Sequence, residues 1–222
     1  IPTYDQVDRD RLTEVVTAPV EVADGEPSLP QLAATSLLVA TALFLGALIS
    51  YLIMRPLPSD VLLSTRPAWR SALQATAPAA TIAAVQALVL AGIGQIVLEL
   101  DPAHTAALVG FGLLGGLAFV MVNQALAIWG GDLGRLIAMI MVVLAAAGQV
   151  VSAVPALFDA VRPFLPLTPM IDGIRAMVTD APVTDHVIAL LGWLALGAAA
   201  TFLGAARNRL VTATGLSRGA TA

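Results

Sequence analysis

Five stretches of the chain, each about twenty residues or longer, contain no Asp, Glu, Lys or Arg, and no other feature constrains the fold as strongly. They run from Gln31 to Met54, Leu73 to Leu98, Thr105 to Ile128, Leu136 to Leu157 and Val187 to Ala206. At roughly 1.5 Å per residue, each is long enough as a helix to cross a hydrocarbon core of about 30 Å. A chain in lipid must satisfy its own backbone hydrogen bonds, so these runs are predicted to be helices. Composition agrees: 58% of residues are hydrophobic and only 12% charged, too few charges to wet the surface of a soluble domain. The predicted fold class is all-α, a polytopic bundle of five transmembrane helices.

Arginine placement predicts the orientation. There is no lysine, and all eleven basic residues are arginines. That habit, with heavy alanine usage, fits a GC-rich genome of actinobacterial type. Arg55, Arg66, Arg70, Arg135, Arg207, Arg209 and Arg218 fall on one side of the bundle; Arg9, Arg11, Arg162 and Arg175 fall on the other. Of the acids, only Asp60 and Asp132 lie on the arginine-rich side. The positive-inside rule then places Ile1 outside a bacterial plasma membrane and Ala222 in the cytoplasm. Residues 1–30 are expected to be an extracytoplasmic juxtamembrane segment, with a short amphipathic helix and then a linker broken by Pro19, Gly25, Pro27 and Pro30. Residues 31–206 form the membrane domain and 207–222 a cytoplasmic tail. The chain opens on Ile1 without Met or a signal-peptide pattern, which suggests the C-terminal part of something longer.

Between the fourth and fifth runs, Pro155, Pro163, Pro166 and Pro169 prevent a continuous span, yet the stretch is too apolar for a plain loop. An outer interfacial or re-entrant helical hairpin over 155–181 is predicted. Thr168 is the expected N-cap, with Pro169 at the first helical position. Met170, Ile171, Ile174, Met177 and Val178 share one face, and Asp172, Arg175 and Thr179 the other. Ala156 to Val161 are expected to form a partner turn. Met170, Asp172, Ile174 and Arg175 are therefore candidates for an interface or recognition surface.

The polar residues at membrane depth are Gln86, Gln95, Asn123, Gln124, Gln149 and Ser152. Amides there usually bond between helices; lining a polar path is the alternative. Gly112 and Gly116, reinforced by Gly110 and Gly115, form a small-residue stripe for close packing, either within the bundle or between subunits. His104 and His186 sit at the outer ends of their runs and do not make a metal site without further ligands. Cysteine is absent, which excludes disulfides and thiolate metal sites. Without lysine the chain cannot carry a P-loop and is not itself an ATPase. With no charge inside any run, proton- or sodium-coupled pumping is not expected. No catalytic arrangement or cofactor motif stands out, so the chain is not expected to be an enzyme.

Residues Gly131 to Arg175 read GDLGRLIAMIMVVLAAAGQVVSAVPALFDAVRPFLPLTPMIDGIR. This resembles the C-terminal membrane domain of the YhgE/Pip family, with its Gly-x-x-Gly-Arg entry to a helix and its later proline-rich stretch closed by Arg. The matching positions are Gly131, Gly134, Arg135, Pro155, Pro163, Leu165, Pro166, Thr168 and Arg175. The opening IPTYDQVDRDRLTEVVTAPV is similar to the stretch that joins an external domain to the membrane in that family. Pro169 departs from the family's frequent Tyr, and Val150 and Val151 replace a usual Gly-rich stretch. The resemblance implies a fold like type-2 ABC exporter permeases, with a first helix and external domain preceding the five helices here. It implies a role in cell-envelope assembly, phage adsorption or, as in relatives, type VII secretion. Two functions compete: a permease-like subunit that moves a lipid, polymer or protein, and a structural anchor or surface receptor that transports nothing. The expected partners are membrane lipid, a second copy or other membrane subunits, and a separate ATPase, not nucleic acid. Pro58 to Leu73, with Arg55, Arg66, Trp69 and Arg70, is the candidate cytoplasmic coupling helix.

Overall fold

The computed structural model describes residues 29–57, 67–98, 101–150 and 160–219. They form five α-helices and one 3-10 turn. Helix α1 is Leu29–Ile53, α2 is Ala68–Leu98, α3 is Pro102–Val150, α4 is Leu167–Val178 and α5 is Thr184–Gly219; the 3-10 turn is Arg162–Phe164. Four helices are long and apolar enough to cross a membrane: α1, α2, α3 and α5. The apolar part of α3 spans 47 residues, Pro102–Gly148. At 1.5 Å per residue that is roughly 70 Å, more than two membrane thicknesses.

The resolution of that excess lies at Gly131. Its φ of 54° and ψ of −124° interrupt α3, a backbone conformation that is essentially glycine-only. The chain doubles back there. A Cβ on Gly134 would collide with the Leu126 carbonyl, eight residues earlier, which two residues of one straight helix could never approach. Thus α3 consists of two arms, residues 102–130 and 132–150, roughly 43 and 28 Å long. The third predicted span is the first arm, and the second arm covers the fourth predicted span as far as residue 150, its remainder lying outside the described residues.

The cross-links fix the directions. Gln31 bonds the Val97 carbonyl and Gln86 the Ala42 carbonyl, so α1 and α2 are antiparallel. Gly197 lies against Met121 and Val122, and Gly204 against Ile128, so α5 runs parallel to the first arm of α3. The bundle therefore has two ends. The hairpin end carries the start of α1, the α2–α3 connection, α4 and the start of α5. The turn end carries the end of α1, the start of α2, Gly131 and the Arg207 region.

Several boundaries move. α2 begins five residues before the predicted Leu73, so Trp69 and Arg70 sit in its first turn, with Arg70 5.1 Å from the Trp69 ring centre. Residues 58–66 of the candidate coupling helix lie outside the described residues, as do the N-terminal segment 1–28 and Ser152. The first arm of α3 starts at Pro102 because Asp101 caps it: the His104 amide donates to Asp101 Oδ1 at 2.7 Å. α5 continues to Gly219, so residues expected as a tail extend the last helix.

Candidate functional site

The short helix α4 and its surroundings form the site. Thr168 is not its N-cap. The helix begins two residues earlier, with Pro166 as N-cap and no side-chain cap, and Leu167 takes the first helical position. Pro169 is tolerated in the first turn because the first amides of any helix lack intrahelical acceptors. Thr168 instead donates its hydroxyl to the Arg162 carbonyl at 2.8 Å, tying α4 to the preceding 3-10 turn. At the other end the Ala181 amide reaches the Ala176 carbonyl at 2.8 Å, and Asp180 adopts the left-handed conformation with φ 53°. That is a Schellman-type stop, with an aspartate where glycine or asparagine is usual.

The apolar face of α4 is wedged into the bundle. Leu167, Met170, Ile171 and Ile174 are buried, as the sequence pattern required of one face. Each such side chain contributes about 1.5–3 kcal/mol on leaving water. Two glycines receive this packing reciprocally. A Cβ on Gly115 would lie 2.6 Å from Met170 Sδ, and one on Gly173 would meet the Phe111 ring. Phe111 lies roughly 14 Å into the first arm of α3, so α4 dips into the hairpin end instead of lying on top of it.

The polar face is not a solvated pair. Asp172 accepts from Arg162 Nη2 through both carboxylate oxygens, each at 2.9 Å, and Arg175 Nη1 lies 3.8 Å from the same carboxylate. Arg175 also donates from Nε to the Ser36 hydroxyl at 3.1 Å, and Ser36 is fully buried in α1. Arg175 therefore links α4 to the first span. Next to this cluster Phe164 stands 71% exposed. Phe164 and Arg162 were not singled out in the sequence. The Arg-Pro-Phe turn gave no periodic signal, and the Arg162–Asp172 pair spans a bend whose geometry only the fold supplies.

A second polar group stands beside it. His104 Nδ1 is 2.9 Å from Asp101 and Nε2 is 3.1 Å from Asp180. Only a doubly protonated ring donates to both carboxylates at once. The backbone amide and ring of His104 hold the exposed Asp101 carboxyl below its usual range. The pair joins the start of α3 to the end of α4. His186 lies apart from it, its Cβ near Gly173. Among the described residues there is no cluster of His, Cys, Asp or Glu suited to a metal ion.

The remaining candidates lie elsewhere. Gly112 and Gly116 face α2: added Cβ atoms would stand 3.4 Å from the Cβ atoms of Ala87 and Ala83, so the stripe packs within the bundle. Gln124 is fully buried near the turn end, accepting from the Thr76 hydroxyl at 2.6 Å and donating to the Pro56 carbonyl at 3.1 Å. Among the described residues Asn123 has no bond to another helix. It donates to Phe119 in its own helix at 2.9 Å, and its Oδ1 is buried without a partner among the described residues. Gln95 also departs from expectation, lying on the exposed face of α2. Gln149 belongs to the second arm of α3, and its side chain lies outside the described residues.

The turn end is held differently. Arg135 donates from Nε to the Tyr51 carbonyl at 3.1 Å and pairs with Asp132 at 2.6 Å. Trp129 donates to the Ala200 carbonyl at 2.9 Å, and Arg207 lies 5.3 Å from its ring centre. Gly131, Gly134 and Arg135 thus build the reversal and anchor it to α1.

No family model matches the sequence, no curated protein matches it, and no solved structure matches the fold.

Proposed function

We propose that this multi-pass membrane protein is an exporter-permease-like subunit of a cell-envelope or secretion system, of the YhgE/Pip kind. It would move, or help to move, a lipid, polymer or protein, with energy supplied by a separate ATPase. The observation that carries this reading is α4: a short helix inserted into one end of the bundle, apolar face inward, with Arg162, Phe164 and Asp172 toward its surface. A helical hairpin before the last span is the element that the family resemblance implies. A plain connector needs neither the reciprocal Gly115–Met170 and Gly173–Phe111 fit nor the Arg175–Ser36 link.

The orientation belongs to this proposal. Among described residues, the turn end and the α5 extension beyond it hold Arg55, Arg70, Arg135, Arg207, Arg209 and Arg218 against Asp132. The hairpin end holds Arg162 and Arg175 against Asp101, Asp172, Asp180 and Asp185. This bias supports a cytoplasmic turn end and an outward-facing hairpin. Single cysteines at Thr184 and Ser59, probed on whole cells with an impermeant thiol reagent, test it. Labelling at Thr184 alone is expected; labelling at Ser59 alone reverses the topology.

The second reading is a static anchor or surface receptor. It is favoured by the α2–α3 contact, where the helices lie so close that a methyl added at Gly116 or Gly112 would already touch Ala83 or Ala87. Substituting Arg162→Glu and Phe164→Ser in the full-length protein separates the two. Phe164 is exposed, but Arg162 also holds Asp172, so normal accumulation of each variant is required before its phenotype is read. Loss of envelope composition or secretion with normal accumulation supports the permease reading. An intact phenotype with both variants supports the anchor.

A further inference from the structure

A groove runs along the outside of the bundle between α1 and α2, independent of the hairpin site. Its volume is about 690 Å³, and its walls include Gly46, Ile49, Ile53, Ile82, Val85 and Val89. That volume is within the range of about 300–1,000 Å³ usual for ligand sites. The groove opens sideways, since Ile53 is 80% exposed and Val85 56%. Both walls are membrane-spanning helices, so the opening faces hydrocarbon, where water has no favourable place.

Polarity gives the groove a direction. On its hairpin side Gln86 clamps the two helices, donating to the Ala42 carbonyl at 2.7 Å across the space above Gly46. A side chain on Gly46 would meet the Gln86 amide, so the bare glycine allows this crossing. At its other limit the lining ends on Ile53 and Met54, and the next residue is the exposed Arg55. The same end of the bundle carries the arginine excess described above. An apolar slot within the hydrocarbon, ending at a cation on the membrane boundary, is complementary to one amphiphile class: an anionic lipid with an acyl tail.

We infer that this groove seats one acyl chain of an anionic phospholipid from the leaflet at the turn end, with its phosphate held near Arg55. The lipid completes the α1–α2 surface and exchanges more slowly than the lipids around the other helices.

The test uses the full-length protein in membranes and in nanodiscs containing equal phosphatidylglycerol and phosphatidylcholine. A benzophenone amino acid at Val85 is expected to cross-link to phospholipid, enriched in phosphatidylglycerol over the bulk. The same probe at Leu203, 65% exposed on α5, should report the bulk composition. Native mass spectrometry should show one phosphatidylglycerol retained per chain. Val85→Trp, which fills the slot from its exposed side, should lose it while thermal stability is kept. Arg55→Gln should lower the preference for the anionic lipid about fivefold, the pull of one basic side chain on an anionic surface. A Val85 adduct to a second copy or another polypeptide would overturn the inference, because the groove would then be a protein interface. Equal labelling at Val85 and Leu203, or an unchanged preference in Arg55→Gln, would overturn it too.

Discussion

The two ends of the bundle are closed by different kinds of polar contact. At the turn end, the links across the bundle run from Arg135, Trp129 and Gln124 to backbone carbonyls of Tyr51, Ala200 and Pro56, and the ion pair of Arg135 with the exposed Asp132 stays within a single turn of α3. At the hairpin end, the links run between side chains: Arg162 with Asp172, Arg175 with Ser36, and His104 with Asp101 and Asp180. A carbonyl acceptor is fixed by its helix and carries no titratable charge. A carboxylate can release one cation and take another. The first arrangement locks a fold; the second holds it while leaving charges that a headgroup or partner can compete for. On this difference the hairpin end is the exchangeable surface and the turn end the frame.

The largest expected effect breaks the hairpin end from beneath. Ile174 is 1% exposed, and Ile174→Ala should cost about 2–5 kcal/mol through the cavity left behind. Thermal unfolding of the detergent-solubilised full-length protein measures it. A loss below 1 kcal/mol would mean that α4 is only lightly held.

Next comes the frame. Gly131→Ala forces a side chain into the φ 54° conformation and should cost about 1–3 kcal/mol. If accumulation and melting temperature are unchanged, the two arms of α3 do not meet at this residue. Gly116→Leu is expected to be of similar size, about 1–3 kcal/mol of overpacking against Ala83 and Leu43. Unchanged stability there would mean that α2 can move away from α3, weakening the case for a static anchor.

How far these ends were legible in the sequence follows the same division. Charge-free runs located the long apolar helices, because lipid imposes the helix and the length. The α4 face was legible too, since Met170, Ile171 and Ile174 recur at helical spacing. The direction of single polar side chains was not. Asn123 and Gln124 are adjacent, yet one turns back to its own helix and the other bridges to Thr76 and Pro56. Their azimuths differ by about 100°, and only the neighbouring helices decide which azimuth is inward. Thr168 carried a correct local signal for a cap, but the 3-10 turn before it offered the Arg162 carbonyl instead. The reversal at Gly131 showed in sequence as a gap between runs and as the Gly131, Gly134 and Arg135 spacing, but not as a change of backbone direction. The Asp101-Pro102 start was an available signal for an earlier boundary, since a capping aspartate before proline at the first helical position is a common helix opening.

The smallest expected effect sharpens the comparison by pH. Asp101 caps α3 and faces His104, and these contacts lower its carboxyl below the ordinary value near 3.9. A carboxyl with a folded-state pKa below its unfolded value contributes stability that is fully present above the unfolded value. That stability is lost as pH falls through the folded value. The protein should therefore lose melting temperature on acidification below about pH 4, with Asp101 contributing one component. Asp101→Asn keeps an N-cap oxygen for the His104 amide but removes the titrating charge. It should lower stability slightly at neutral pH and flatten the acid limb of the curve. Trp129→Phe at the turn end should leave the shape of that limb unchanged, because the Ala200 carbonyl that it releases does not titrate. If Trp129→Phe flattens the limb as much as Asp101→Asn, the two ends do not differ in the way their contacts indicate.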